Sequence, residues 1–213
     1  MISTREEAGR RLGQRLAGER DRDAVVLALP RGGVPVAVEI AAALGAPLDL
    51  LFVRKIGLPW QRELAYAAVV DGTPPEVVIN EDVARLEPLT EAQLEEATRE
   101  EVAEIERRRS VYMAGRAPLA VAGRTVILVD DGLATGTTAR AALLALRRRA
   151  PDRLVLAVPV APPDTVRELA RLVDAIVCLE TPEPFRAIGL HYQDFHQLED
   201  DEVLAILAAH SGR

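Results

Sequence analysis

Val126-Ile127-Leu128-Val129-Asp130-Asp131-Gly132-Leu133-Ala134-Thr135-Gly136-Thr137-Thr138 is the stretch on which the fold turns. Four aliphatic residues in a row make a strand with both faces covered, as in a parallel sheet. Two carboxylates stand at its C-terminal end, followed by a loop of Gly, Ala and Thr and then the start of a helix. In open parallel sheets, ligands bind beyond the C-terminal ends of the strands. Small residues let backbone N–H groups come close to a ligand, and at a helix N-terminus those groups favour a dianionic phosphate. Thr135, Thr137 and Thr138 add hydroxyl donors. A sugar 5-phosphate bound there would turn its 2- and 3-hydroxyls toward Asp130 and Asp131. The plainer reading of the acidic pair is a solvated strand end. The loop carries no lysine, so it is not a Walker P-loop, and the dinucleotide fingerprint Gly-x-Gly-x-x-Gly is absent.

Downstream the alternation continues. The patterns predict a helix over residues 137–149, a strand over 154–158, a helix over 163–172 and a strand over 175–179. A looser tail, 182–199, leads to a short helix over 201–209. Upstream, Ser3-x-x-Glu6 reads as a capping box, and Ala8, Leu12 and Leu16 predict a helix over 4–20. A strand over 25–29 is broken by Pro30-Arg31-Gly32-Gly33. A helix over 34–44 ends at Gly45, and a second strand over 48–53 completes a βαβ unit. Residues 54–64, aperiodic and charged, predict an exposed loop. Strands over 65–70 and 77–79 flank a turn at Asp71-Gly72-Thr73-Pro74-Pro75. Thr90-x-x-Gln93 caps a long glutamate-rich helix running to about residue 114, whose apolar stripe, Leu94, Val102, Ile105 and Tyr112, is narrow. The class is α/β, with a mainly parallel central sheet flanked by helices.

Composition narrows the functions. Of 213 residues, 49% are apolar and 28% charged, which excludes a disordered chain. A net charge of −7 argues against a general grip on nucleic acid, unless Arg107–Arg109 and Arg147–Arg149 share one face. The one cysteine, Cys178, excludes an internal disulfide framework and reads as a small core residue. His191 and His196 lack a third ligand partner for zinc. No apolar run approaches the ~18 residues of a membrane span, and the start, MISTREEAGRR, is charged rather than signal-like. The default expectation is a cytoplasmic protein with no membrane partner. All but one of the 26 basic side chains are arginine; the exception is Lys55.

The quoted stretch resembles the phosphoribosyl diphosphate (PRPP) signature of the type I phosphoribosyltransferases. The resemblance implies one phosphoribosyltransferase-like unit over 1–213, with a core over about 22–180, a small C-terminal hood over 181–213 joined by the N-terminal helix, and the helix at 90–114 as an insertion. It implies that Ala134, Thr135, Gly136, Thr137 and Thr138 bind the 5-phosphate and that Asp130 and Asp131 are the catalytic pair on the ribose. Arg31, Gly32 and Gly33 look like the family's pyrophosphate loop, often built on a strained peptide bond. Lys55, and Arg54 beside it, fall where a basic residue often meets pyrophosphate. Residues 57–68 fall where the family has a mobile closing loop, which includes Trp60. The tail from Pro184 is similar to the hood of purine-salvage members, making Phe185 the candidate to stack on a base. The expected reaction is phosphoribosyl transfer from PRPP to a nitrogenous acceptor, a nucleobase by analogy, with pyrophosphate released. Mg²⁺ is expected mainly through PRPP and water, with few protein ligands. A homodimer is compatible with the family. The alternative is a PRPP- or nucleotide-sensing protein that binds without catalysing, because a fold does not fix a function.

Overall fold

The computed structural model describes residues 1–20, 22–114 and 116–211; Asp21, Gly115, Gly212 and Arg213, the last two within the expected hood, lie outside the described residues. Along the chain run α1 (Arg5–Arg15), β1 (Ala24–Ala28), α2 (Gly33–Leu44), β2 (Leu48–Leu50), β3 (Val53–Leu58), β4 (Gln61–Val70) and β5 (Glu76–Ile79). They are followed by α3 (Glu81–Leu86), α4 (Glu91–Met113), β6 (Thr125–Val129), α5 (Thr137–Arg148), β7 (Arg153–Val160), α6 (Pro163–Leu169), β8 (Ala175–Glu180) and α7 (Asp200–Ser211).

The apolar runs form one five-stranded sheet in the order β2-β1-β6-β7-β8, every neighbouring pair parallel. Alternate side chains point to opposite faces. Val26, Ala28, Ile127, Val129, Val155 and Ala157 pack toward α1, α2 and α7. Val25, Leu27, Val126, Leu128, Leu154 and Leu156 pack toward α5. Because both faces are covered, these strands read as unbroken apolar runs rather than as alternation. The chain passes from β1 to β2 on one side and later returns to β6 on the other, so a topological switch point lies between β1 and β6. That is where an open α/β sheet offers a crevice to a ligand.

A second sheet, β3-β4-β5, is antiparallel. It corrects the expectation of an exposed loop over 54–64: those residues lie in the β3–β4 hairpin. The periodicity was hidden because the pairing register shifts on both sides of Gly57 and the hairpin's outer arm is solvated. Trp60 at its turn is 59% exposed and so is no packing anchor.

The long helix α4 has the expected Thr90/Gln93 capping box, and its C-terminal half is buried at Ile105, Tyr112 and Met113. Tyr112 stacks on Phe52, with ring centroids 6.0 Å apart. Other boundaries differ. The cap of α1 is Thr4, whose hydroxyl accepts the Glu7 N–H, rather than Ser3, and the helix gives way to a 3-10 turn at Ala17–Glu19. The strand expected over 48–53 splits into β2 and the start of β3, α3 had no signal strong enough to predict it, and α6 stops at Leu169. After β8 the tail folds back on the N-terminus: Ile2 donates to the His191 carbonyl at 2.9 Å and accepts from Gln193 N–H at 2.8 Å. No helix among the described residues is long and apolar enough to cross a membrane.

Candidate functional site

The loops after β1 and β6 meet at the switch point. In the first, the Pro30–Arg31 peptide bond is cis. Gly33 N–H donates to the Leu29 carbonyl at 3.0 Å and Val34 N–H to the Arg31 carbonyl at 3.1 Å, which winds the chain directly into α2. The contact between the loops is close. A Cβ on Gly32 would lie 2.1 Å from Asp131 Oδ2, and one on Gly33 would lie 2.7 Å from the Val129 carbonyl oxygen. Only glycine lets the first loop lie on the carboxylate of the second.

Asp130 and Asp131 follow β6. Asp131 is buried, its N–H donates to Asp130 Oδ1 at 2.9 Å, and its carbonyl accepts the Tyr192 hydroxyl at 2.7 Å. Asp131 Oδ2 accepts from Arg5 Nε at 2.8 Å. Burial, and then the neighbouring Asp131 charge, push the Asp130 carboxyl well above the usual carboxylate range. Burial also pushes Asp131 up, opposed by the Arg5 guanidinium. Burial pushes the Tyr192 hydroxyl up, so it remains a donor.

Past the acids the loop turns at Gly136, which has φ +69° and caps α5; a Cβ there would meet Thr165 Cγ2 at 2.8 Å. The loop is tied back from behind: Leu133 N–H donates to the Val160 carbonyl at 2.9 Å and Thr165 Oγ1 to the Ala134 carbonyl at 2.9 Å. Ala134 and Thr135 are exposed and Thr137 and Thr138 half-buried. The Thr135 and Thr137 hydroxyls lie 3.1 Å apart. The first-turn N–H groups of α5 have no partners within the helix, which equips this end to hold an anion.

Two grooves open here. One, of about 380 Å³, is lined by Arg5, Arg31, Gly32, Asp131, Phe195 and His196, among others. The other, of about 610 Å³, runs between the antiparallel sheet and α5, with Lys55, Thr135, Thr137 and Arg140 in its lining. The chain's one lysine and the small-residue loop therefore share a groove, although they are far apart in sequence.

The remaining expected residues sit otherwise. Arg31 lies 3.4 Å from Glu199 and 3.5 Å from Asp200 at the start of α7. Arg54 pairs with Glu101 of α4 at 2.7 Å, so it braces β3 and lines neither groove. Phe185 stacks on His191, with centroids 5.2 Å apart, packs on an apolar cluster that includes Ile2, Ala8, Val160 and Tyr192, and also lines neither. Arg5, Phe195 and His196 carried no signal as groove residues, because they lie at opposite ends of the chain and meet only through the fold. His196 lies between Glu202 at 2.9 Å and Asp194 at 3.3 Å, and these hydrogen bonds raise its pKa.

A family profile described as a phosphoribosyl transferase domain matches residues 4–194. Curated relatives from Mycobacterium tuberculosis strains CDC 1551 and H37Rv, provisionally named phosphoribosyl transferases, are 46% identical over 207 residues, 97% of this chain. The chain spans about half the length (46%) of those relatives. The crystal structure of the protein TT1426 from Thermus thermophilus superposes with a TM-score of 0.84 at 39% identity, covering 98% of both chains.

Proposed function

Because the chain belongs to the phosphoribosyl transferase domain family, we propose that it transfers the phosphoribosyl group of PRPP to a nitrogen nucleophile and releases pyrophosphate. The observation that carries this reading is the direct contact of Gly32 with Asp131, which brings an amide-rich, Arg31-bearing loop against the acidic pair at one switch point.

The N–H groups and hydroxyls of residues 134–138 hold the 5-phosphate. Arg31 and the Gly32 and Gly33 amides receive the pyrophosphate, and Lys55 reaches it from across the larger groove. Asp130 and Asp131 accept from the ribose hydroxyls. As the bond between C1 and the pyrophosphate oxygen breaks, positive charge grows on the ring, and fixed carboxylates stabilise it. The acceptor nitrogen then bonds to C1, its proton leaves to solvent, and the electron pair of the broken bond departs with pyrophosphate. The hard oxygens of Asp130 and Asp131 fit Mg²⁺ held mainly through PRPP oxygens and water, where it would offset the charge of the leaving group. Arg54 and Phe185 have structural partners and are given no ligand role. The acceptor is read as a nucleobase, by analogy with nucleotide salvage, in the cytoplasm.

The reading is tested by incubating the protein with PRPP, Mg²⁺ and single purine or pyrimidine bases while measuring pyrophosphate. Release that depends on one base is the expected result. PRPP binding without release in any mixture would favour the sensing alternative. A second test uses Gly32→Ala, which forces Asp131 or the loop aside. With displacements of about 1 Å able to cost ~10²-fold, catalytic efficiency toward PRPP should fall by about that factor. Efficiency within a factor of two of wild type would show that the contact is irrelevant to turnover.

A further inference from the structure

Arg5, near the start of α1, has its guanidinium held at three points. Nε donates to Asp131 Oδ2 at 2.8 Å and Nη1 to the His196 carbonyl at 3.0 Å, while Cζ lies 4.0 Å from the centre of the Phe195 ring. The Arg5 side chain is 8% exposed and that of Asp131 12%. Stability is a weak reason for such a pair, since desolvation offsets much of the attraction between buried charges and apolar replacements are often as stable. Position is a better reason. The oxygen that Arg5 binds is also the atom nearest the Gly32 Cβ position, so the guanidinium fixes the face of the carboxylate on which the loop after β1 lies. Tyr192 holds the same residue's carbonyl, and its neighbours pair with Ile2. The N-terminal segment and the tail at 192–196 thus converge on one aspartate.

We propose that Arg5 is a positioning residue that, held by Phe195 and the His196 carbonyl, locks the Asp131 carboxylate in the orientation required for phosphoribosyl transfer. The proposal rests on the role given to Asp131 above. It separates the two acids: Asp131 is oriented by a dedicated partner from the chain's far end, whereas Asp130 takes its environment from burial and from Asp131. Groups that orient metal ligands without binding the metal change affinity or activity by about 10–100-fold when removed, and the same order is expected of a group that orients a reacting carboxylate.

The test compares wild type, Arg5→Met, Arg5→Lys, Phe195→Leu and Arg10→Ala. Each is assayed for pyrophosphate release from PRPP and Mg²⁺ with a mixed set of purine and pyrimidine bases, alongside thermal melting and calorimetric titration with PRPP. Arg10, on the exposed side of the same helix, should leave all readouts unchanged. Arg5→Met should lower kcat by about 10–100-fold, with KM for PRPP changed by less than about threefold, as expected when an interaction matters in the transition state. Arg5→Lys, which keeps one donor for Asp131, should recover part of that loss. Phe195→Leu keeps the guanidinium but removes its platform; it should lower kcat severalfold, and it decides the matter if Arg5→Met does not fold.

Folded Arg5 variants with kcat within twofold of wild type would overturn the proposal and leave the transferase reading standing. So would a loss confined to KM. A wild-type protein that neither binds PRPP nor releases pyrophosphate would overturn the transferase reading, and this proposal with it.

Discussion

Asp130→Asn should lower pyrophosphate release from PRPP by about 10²–10³-fold, the usual cost of removing one well-placed electrostatic partner of a transition state, while the protein melts no lower than wild type. The two halves of this expectation have separate causes. Turnover falls because asparagine keeps the shape of the side chain but has no carboxyl that can ionise against the positive charge growing on the ring. Stability is retained because the Asp130 carboxyl is costly to ionise: burial and the adjacent Asp131 raise its pKa well above 3.8. A group whose pKa is higher in the folded state contributes stability that is fully present below its unfolded pKa. That contribution is lost as the pH rises through the folded value. Wild type should therefore lose part of its stability as the pH climbs above the ordinary aspartate range, and Asp130→Asn should lose less. Melting curves from pH 4 to 8 on both proteins measure the difference. Equal turnover would remove Asp130 from the site, and a mutant much less stable than wild type at pH 8 would show that its carboxyl is not costly to ionise. Asp131→Ala is a poorer test, although in the sequence the two acids look interchangeable. It would strand the buried Arg5 guanidinium, and breaking one side of a buried pair costs about 3–5 kcal/mol, so lost activity and lost fold would be confounded.

That asymmetry between adjacent aspartates marks where the sequence stops being informative. The central sheet was legible because each parallel strand is a short aliphatic run bounded by Gly, Pro or charge, and the βα alternation limits how such strands can be ordered. The loops after β1 and β6 were legible as candidate ligand loops because their residue types, Gly-Gly after arginine and Gly/Ala/Thr after two acids, suit a backbone that must come close to something, and Gly32 does lie against Asp131. What surrounds them was not. Arg5 reads as one more charge on an amphipathic helix, and nothing local says that it folds against residue 131. The β3–β4 hairpin was missed because a register shift at Gly57 and a solvated arm erase the two-residue period. Arg54 and Lys55 are neighbours in a strand, so they point to opposite sides; one meets Glu101 and the other the groove, a distinction that needs the strand to be recognised first. Phe185 has the composition of a stacking residue, but its ring packs on His191.

The antiparallel sheet that carries Lys55 is held to the rest of the protein by a buried charge cluster, and its removal should have the largest effect on stability. Arg109 of α4 donates to Asp49 at 2.8 Å, to Asp71 at 2.7 Å and to the Leu50 carbonyl at 3.1 Å. The side chains are 11%, 3% and 7% exposed for Arg109, Asp49 and Asp71. Asp49 also accepts the Leu119 N–H at 2.8 Å, so one carboxylate ties β2, α4 and the segment before β6 together. Asp71 directly follows β4, and its carboxyl is already pushed up by burial, with Arg109 as the main opposing influence. Arg109→Met leaves two buried carboxylates without their cation. At about 3–5 kcal/mol for a broken buried pair, and about 2–4 °C per kcal/mol in a protein of this size, melting at pH 7.5 should fall by about 6–20 °C. The sign of its pH dependence follows. Without Arg109 the Asp71 carboxyl, already raised by burial, loses its main opposing influence and titrates still higher in the folded than in the unfolded protein. The deficit should therefore shrink on acidification toward pH 4 and widen as the pH rises. Adding Asp49→Asn and Asp71→Asn to Arg109→Met should restore part of the loss at pH 7.5, because the stranded charges are then gone. A single mutant that melts within 2 °C of wild type at pH 7.5, or a deficit that grows on acidification, would mean that the cluster does not hold α4 and the antiparallel sheet to the body of the protein.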